Sequence, residues 1–186
     1  MTLDPKPRHR APRGPGLALV GYRGTGKSTV GKILADRLDR RFLDADLEIE
    51  VRAGRSIRSI FAESGEPVFR DWEEQTLEEL ANRHPEGVLA SGGGVVLRPS
   101  NRRLLRAFGY VVWLKAEPAE LARRLEADLQ SGAERPPLTG AGTIAEIAHV
   151  LEARTPLYQE VADLALETLD RTPEEIAELI LDLWPR

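Results

Sequence analysis

Apolar positions along the chain alternate between short continuous runs and helical spacing. Leu17-Ala18-Leu19-Val20 is an uninterrupted apolar run ending at Gly21, the pattern of a parallel strand buried on both faces. Val30, Ile33, Leu34 and Leu38 then recur at helical spacing, which predicts a helix from about Lys27 to Asp39. Arg41-Phe42-Leu43 reads as a second strand leading into Asp44 and Asp46. Residues 47–83 read as helical throughout, with Gly54 and Gly65 as breaks and Ser56 as an N-cap. Val88-Leu89-Ala90 is a third strand, cut off by Gly92-Gly93-Gly94, and a helix follows from Asn101 to Phe108. Tyr110-Val111-Val112-Trp113-Leu114 gives a fourth strand and Pro118 to Leu129 another helix. Residues 144–162 read as helix, Leu164-Ala165-Leu166 as a fifth strand, and Pro173 opens a terminal helix through Leu183. Strands alternating with helices predict an α/β fold whose parallel sheet is wrapped on both faces.

Two segments break the pattern. Residues 1–16 carry four prolines and four basic residues with almost nothing to bury, and are expected to form a flexible tail. Residues 130–142 are polar, with Gly132, Gly140, Gly142 and Pro136-Pro137 around Arg135, the composition of a mobile loop. The remaining 17–186 form a single expected domain, in keeping with a length of 186 residues.

Composition narrows the chemistry. The absence of cysteine excludes disulfides and thiolate metal sites. His9, His84 and His149 lack ligand spacing and read as surface residues. The net charge of -4 argues against nucleic acid as the main partner, while no apolar run is long enough to span a bilayer. With no secretory signal pattern, a cytoplasmic location is the expectation.

Gly21-Tyr22-Arg23-Gly24-Thr25-Gly26-Lys27-Ser28 satisfies G-x-x-x-x-G-K-[ST] between a predicted strand and a predicted helix. Glycines let the backbone curl so that successive N–H groups point at a phosphate, and the helix N-terminus adds partial positive charge. Lys27 is placed to reach the β- and γ-phosphates and Ser28 to ligate Mg²⁺. A Rossmann site is disfavoured because the glycines run into Lys-Ser-Thr.

Asp44 and Asp46 follow the second strand, at the edge where open α/β sheets bind ligands. Asp44 is assigned to the metal and Asp46 to the acceptor hydroxyl; capping of the next helix explains an Asp there equally well. Arg70 and Glu73 share a helical face, so Glu73 could orient the guanidinium toward a substrate carboxylate. Spacing alone favours the plainer reading, a surface ion pair. Three glycines after a buried strand are costly in chain entropy and imply close approach of backbone to ligand. Arg135 suits a lid that closes over ATP and neutralises transition-state charge, whereas Arg154 is ambiguous by itself.

Taken in order, these motifs resemble shikimate kinase from about Leu17 to Leu183. They are Gly21 to Ser28, Phe42-Leu43-Asp44-Ala45-Asp46, Ile60-Phe61 with Gly65-Glu66 and Phe69-Arg70, Gly92-Gly93-Gly94, Arg135-Pro136, and Arg154 through Tyr158. The resemblance implies a three-layer αβα P-loop kinase fold with a five-stranded parallel sheet in order 2-3-1-4-5. It implies transfer of phosphate from ATP, with one Mg²⁺, to the 3-hydroxyl of shikimate by a monomer. It places ATP on Gly24, Thr25, Gly26, Lys27, Ser28, Thr29 and Arg135, with Arg171 near the adenine, and shikimate on Asp46, Arg70, Gly92, Gly93, Gly94 and Arg154. Residues 47–83 become the substrate-binding subdomain and 130–142 the lid. Departures are a second proline, Pro137, and a longer stretch between Arg124 and Arg135. A gluconate-type kinase and an inactive effector-binding module are the competing expectations; intact Lys27, Ser28, Asp44, Asp46 and Arg135 count against the module.

Overall fold

The computed structural model describes residues 14–130 and 144–185. Its elements run β1 (Gly16–Val20), α1 (Lys27–Leu38), β2 (Phe42–Asp44), α2 (Ala45–Ala53), α3 (Ile57–Arg83) and β3 (Val88–Ala90). A short 3₁₀ turn (Val95–Leu97) leads to α4 (Pro99–Phe108), β4 (Gly109–Lys115), α5 (Pro118–Gln130), α6 (Ile144–Val161), β5 (Leu164–Glu167) and α7 (Pro173–Leu183). The five strands form one parallel sheet in the order β2-β3-β1-β4-β5.

Strand alternation divides the core between the two faces. Ala18 and Val20 of β1 join Leu43, Leu89, Val111 and Trp113 against Leu77, Leu80, Leu105 and Tyr158 from α3, α4 and α6. Leu17 and Leu19 join Val88, Val112 and Leu114 against Val30 and Leu34 of α1 and Ile176 and Ile180 of α7. Helices on both faces of the sheet make the expected three layers. A smaller cluster, Ile49, Ile60 and Phe69 with Phe61 and Trp72, packs α2 on α3 away from the sheet. Residues 47–83 therefore carry a core of their own.

Element ends differ from expectation by one or two residues, for local reasons. β1 starts at buried Gly16, inside the expected tail, and Arg40 Nη1 donates to the Pro15 carbonyl at 2.6 Å. Helix α4 starts at Pro99, whose missing N–H costs nothing at the first helical position. Gly54 (φ 63°) ends α2, but Gly65 (φ 78°, ψ 171°) only kinks α3. Ser56 caps α3, its hydroxyl accepting from Ser59 N–H at 3.2 Å. Of the expected lid, Gln130 is the last residue of α5; Arg135 and the rest lie outside the described residues, as do residues 1–13.

Helix α5 is tied to the loop before α1 and to the end of β5 by Arg124. Its Nη1 donates to the Gly24 carbonyl (3.2 Å) and Thr168 Oγ1 (3.1 Å), and its Nη2 to the Thr168 carbonyl (3.2 Å). Glu120 orients it, accepting from Arg124 Nε at 2.6 Å and from both Nε and Nη2 of Arg123. The Arg123 and then the Arg124 hydrogen bonds hold the Glu120 carboxyl down at about 2, against an ordinary 4.5. A depressed carboxyl contributes stability that is complete above its unfolded value and is lost as pH falls through its folded one. Glu120→Gln should therefore be less stable than the unsubstituted protein at neutral pH. Denaturant midpoints of the two should converge as pH falls from about 4.5 to about 2; a gap independent of pH would contradict the assignment.

Candidate functional site

The glycine-rich turn between β1 and α1 bends through Gly24 (φ 83°) and Gly26 (φ 88°), backbone conformations that favour glycine. Gly26 caps α1 without a side-chain hydrogen bond, and no acidic residue stands in the first turn of the helix. The N–H groups of Lys27, Ser28 and exposed Thr29 thus open α1 without intrahelical acceptors, ready for an anion. Lys27 lies inside the turn, its Nζ donating to the carbonyls of Gly21 (2.8 Å) and Tyr22 (2.7 Å). Thr25 closes the loop through its hydroxyl, which donates to Tyr22 O at 2.8 Å. Gly24, Thr25, Gly26, Lys27, Ser28 and Thr29 accordingly form one cradle.

Asp44 ends β2 at the mouth of this cradle. Its Oδ2 accepts from Ser28 Oγ at 2.9 Å, while Oδ1 accepts from Leu47 N–H at 3.2 Å and caps α2. One Asp44 oxygen therefore caps α2, as the plainer reading expected, and the other meets the Ser28 hydroxyl. The Ser28 hydroxyl and Asp44 carboxylate are hard oxygen donors, suited to a divalent cation that also takes phosphate oxygens and water. Among the described residues no group of three or more His, Cys, Asp or Glu side chains could hold a metal alone. The donor set therefore fits a cation that arrives with a phosphate ligand.

Asp46 lies not at the strand end but in the first turn of α2, turned toward the glycine triplet. The close approach seen there is between the backbone and other protein side chains. A Cβ on Gly92 would lie 2.7 Å from Asp46 Oδ1 and 3.0 Å from Glu73 Oε1. One on Gly94 would lie 2.4 Å from Arg70 Nη2. Gly93 runs against the cradle, 3.3 Å from Arg23 N and 3.5 Å from Gly21 O by the same measure.

The plainer reading of Arg70 and Glu73 as a surface pair is overturned. Arg70 is 8% and Glu73 1% exposed, because α3 buries this face against the segment after β3. Arg70 Nη1 donates to Glu73 Oε2 at 2.8 Å, and its Nε and Nη2 donate to Glu66 Oε1 at 3.1 and 2.9 Å. Glu73 Oε1 is buried and accepts no hydrogen bond among the described residues. Burial pushes the Glu73 carboxyl above its ordinary range, against the opposing pull of Arg70 and with a further push from the Asp46 charge. This is a cationic fork beside two carboxylates, a place for a ligand bearing both a carboxylate and hydroxyl groups.

Helix α6 supplies the opposite wall. Arg154 Nη1 donates to the Gly93 carbonyl at 3.0 Å, and Tyr158 Oη donates to the same oxygen at 2.5 Å. Arg171 stands apart from this wall: it donates to the Glu167 carbonyl at 2.8 Å and lines a cleft of about 410 Å³ with Arg124, Thr168 and Leu169. Arg124 joins that cleft to the cradle through its bond to Gly24. Neither Arg124 nor the Tyr158 hydroxyl was singled out from sequence. The i,i+4 spacing of Tyr158 after Arg154 was the available signal for the tyrosine; Arg124 offered none.

Comparison with known proteins agrees with this geometry. A family profile described as shikimate kinase matches residues 23–184. Shikimate kinase of Rhodopirellula baltica is 43% identical over 180 residues, covering 97% of this chain and 92% of that one. Shikimate kinase of Pseudomonas entomophila is 44% identical over 175 residues, covering 91% and 98%. The solved shikimate kinase of Acinetobacter baumannii in complex with shikimate superposes with a TM-score of 0.83 at 38% identity, covering 92% of this chain and 93% of that one. With a phosphate cradle and a buried arginine–carboxylate pocket meeting at one glycine triplet, and with matches along nearly its whole length, the chain belongs to the shikimate kinase family.

Proposed function

We propose that the protein transfers the γ-phosphoryl group of ATP to the 3-hydroxyl of shikimate, giving shikimate 3-phosphate and ADP. The observation that carries this reading is the shared wall at Gly93, which touches the phosphate cradle on one side and Arg154 on the other. Donor and acceptor sites so joined can hold two reactants in line, which is most of what phosphoryl transfer asks of a protein.

Each residue then has a duty. The cradle from Gly24 to Thr29 binds the ATP phosphates, and Lys27 exchanges its loop carbonyls for phosphate oxygens. Ser28 and Asp44 would hold Mg²⁺, which supplies charge neutralisation at the phosphates. Arg70 and Arg154 receive the shikimate carboxylate, with Glu66 and Glu73 orienting Arg70. Asp46, beside Gly92, orients the attacking hydroxyl and accepts its proton. Arg135, carried over from the family resemblance, neutralises charge on the transferring group, and Arg171 borders the adenine. The protein is expected to act as a cytoplasmic monomer without nucleic-acid partners; no described helix is long and apolar enough to cross a membrane.

ADP release from MgATP, with shikimate, quinate and gluconate offered separately, tests the reading. Shikimate-dependent release that disappears in Lys27→Ala is expected; turnover of gluconate alone would sink it. Arg135→Ala should lower turnover roughly 10³-fold or more, as loss of a charge-neutralising arginine does, and activity within a few-fold of the unsubstituted enzyme would remove its role. Gly94→Ala should push the Arg70 guanidinium off its position. Loss of a charge-assisted contact of about 1.5–3 kcal/mol predicts a shikimate KM raised about tenfold to a hundredfold, with the ATP KM unchanged. An unaltered shikimate KM would contradict the clamp.

A further inference from the structure

We infer that Tyr158 is a positioning residue for the acceptor substrate: its buried hydroxyl locks the Gly93–Gly94 peptide in the orientation that offers the Gly94 N–H to shikimate. The inference rests on the shikimate kinase reading and deepens it.

The peptide between Gly93 and Gly94 is flanked on both sides by residues without Cβ, so little in the local chain prevents it from rotating. In one orientation its carbonyl oxygen faces α6. In the reverse one, that oxygen would face an incoming carboxylate and repel it. Two donors from α6 select the first orientation, because Tyr158 Oη and Arg154 Nη1 both donate to the Gly93 carbonyl. The described chain contains no cis peptide, so the Gly94 N–H points opposite to that carbonyl, away from α6. Among the described residues the N–H groups of Gly92, Gly93 and Gly94 find no backbone acceptor. The Arg70 guanidinium stands against the same Gly94. A carboxylate received there meets the Arg70 guanidinium and a backbone N–H together, and Arg154 reaches it by leaving the Gly93 carbonyl, which Tyr158 then holds alone.

Tyr158 is built for this duty. It is wholly buried and its ring stacks on Trp113 of β4, centroids 5.5 Å apart at 21°. The ring therefore cannot swing the hydroxyl elsewhere without disturbing the packing between α6 and the sheet. Burial pushes the phenol up to about 12, so it remains a donor throughout the working range. Arg154 cannot do this alone, because its guanidinium is also assigned to the substrate and is only half-buried.

Tyr158→Phe deletes the hydroxyl and keeps the ring against Trp113. The expected result is a folded enzyme whose shikimate KM rises about tenfold or more, the scale of one buried polar group left unpaired. The ATP KM should stay within about twofold. A merely structural role would instead lower the melting temperature and reduce turnover without separating the two KM values. An unchanged shikimate KM in folded Tyr158→Phe, or equal rises in both, would overturn the inference. Should the variant not fold, the amide resonance of Gly94 in the unsubstituted protein decides: shikimate added without nucleotide should shift it, and an unmoved resonance overturns the inference. Shikimate turnover by the unsubstituted enzyme, run in the same assay, separates failure of this inference from failure of the functional reading beneath it.

Discussion

The glycine triplet after β3 must pass through a space with no room for side chains, and the site is arranged around that constraint. On one side stands the phosphate cradle, on the other Asp46, Glu73 and Arg70, with Arg154 and Tyr158 behind. A single methyl group at Gly92 or Gly94 would collide with Asp46 Oδ1 at 2.7 Å or Arg70 Nη2 at 2.4 Å. The entropic cost of three flexible residues is thereby exchanged for a wall one backbone thick.

The Arg70–Glu73 pair shows how a charge is kept useful in a dry place. Burying an ion pair is costly, and its own attraction seldom offsets the loss of water. Here Glu66 supplies a second acceptor from the solvent side, while Phe69 packs under the guanidinium, 5.0 Å from ring centroid to Cζ. One Glu73 oxygen stays without a hydrogen-bond partner among the described residues, which leaves the pocket electrostatically unfinished. An unpaired buried oxygen of this kind costs folding stability and is suited to a polar ligand that donates to it.

Alignment of the site depends on ties between elements that are distant in sequence. Helices α2 and α3 have their own small core, while Leu77 and Leu80 in the second half of α3 join the core against the sheet. Arg98, following the 3₁₀ turn, bonds to Asp71 at 2.6 Å and Glu74 at 2.8 Å and holds α3 against the segment that follows the triplet. Arg124 ties other elements in the same way, joining α5, the glycine-rich turn and the end of β5. Both arginines act by multiple hydrogen bonds in fixed directions, which a lysine could not reproduce.

Much of this was legible in the chain itself. The continuous apolar runs at residues 17–20 and 110–114 announce strands covered on both faces, and the P-loop spacing dictates a strand, a curl and a helix N-terminus. These features are local, so sequence suffices for them, and the order of the motifs carried the family. Long-range placement was not legible. Sequence could not say that Arg70 and Glu73 would be buried, because the i,i+3 spacing is the same on a wet face as on a dry one. Nor could it place Arg124 beside Gly24 or Tyr158 beside Gly93, separations of 100 and 65 residues. Local periodicity determined which elements form; only the packing of α3, α5 and α6 around the sheet decided which side chains meet, because burial and hydrogen-bond partnership belong to the assembled fold.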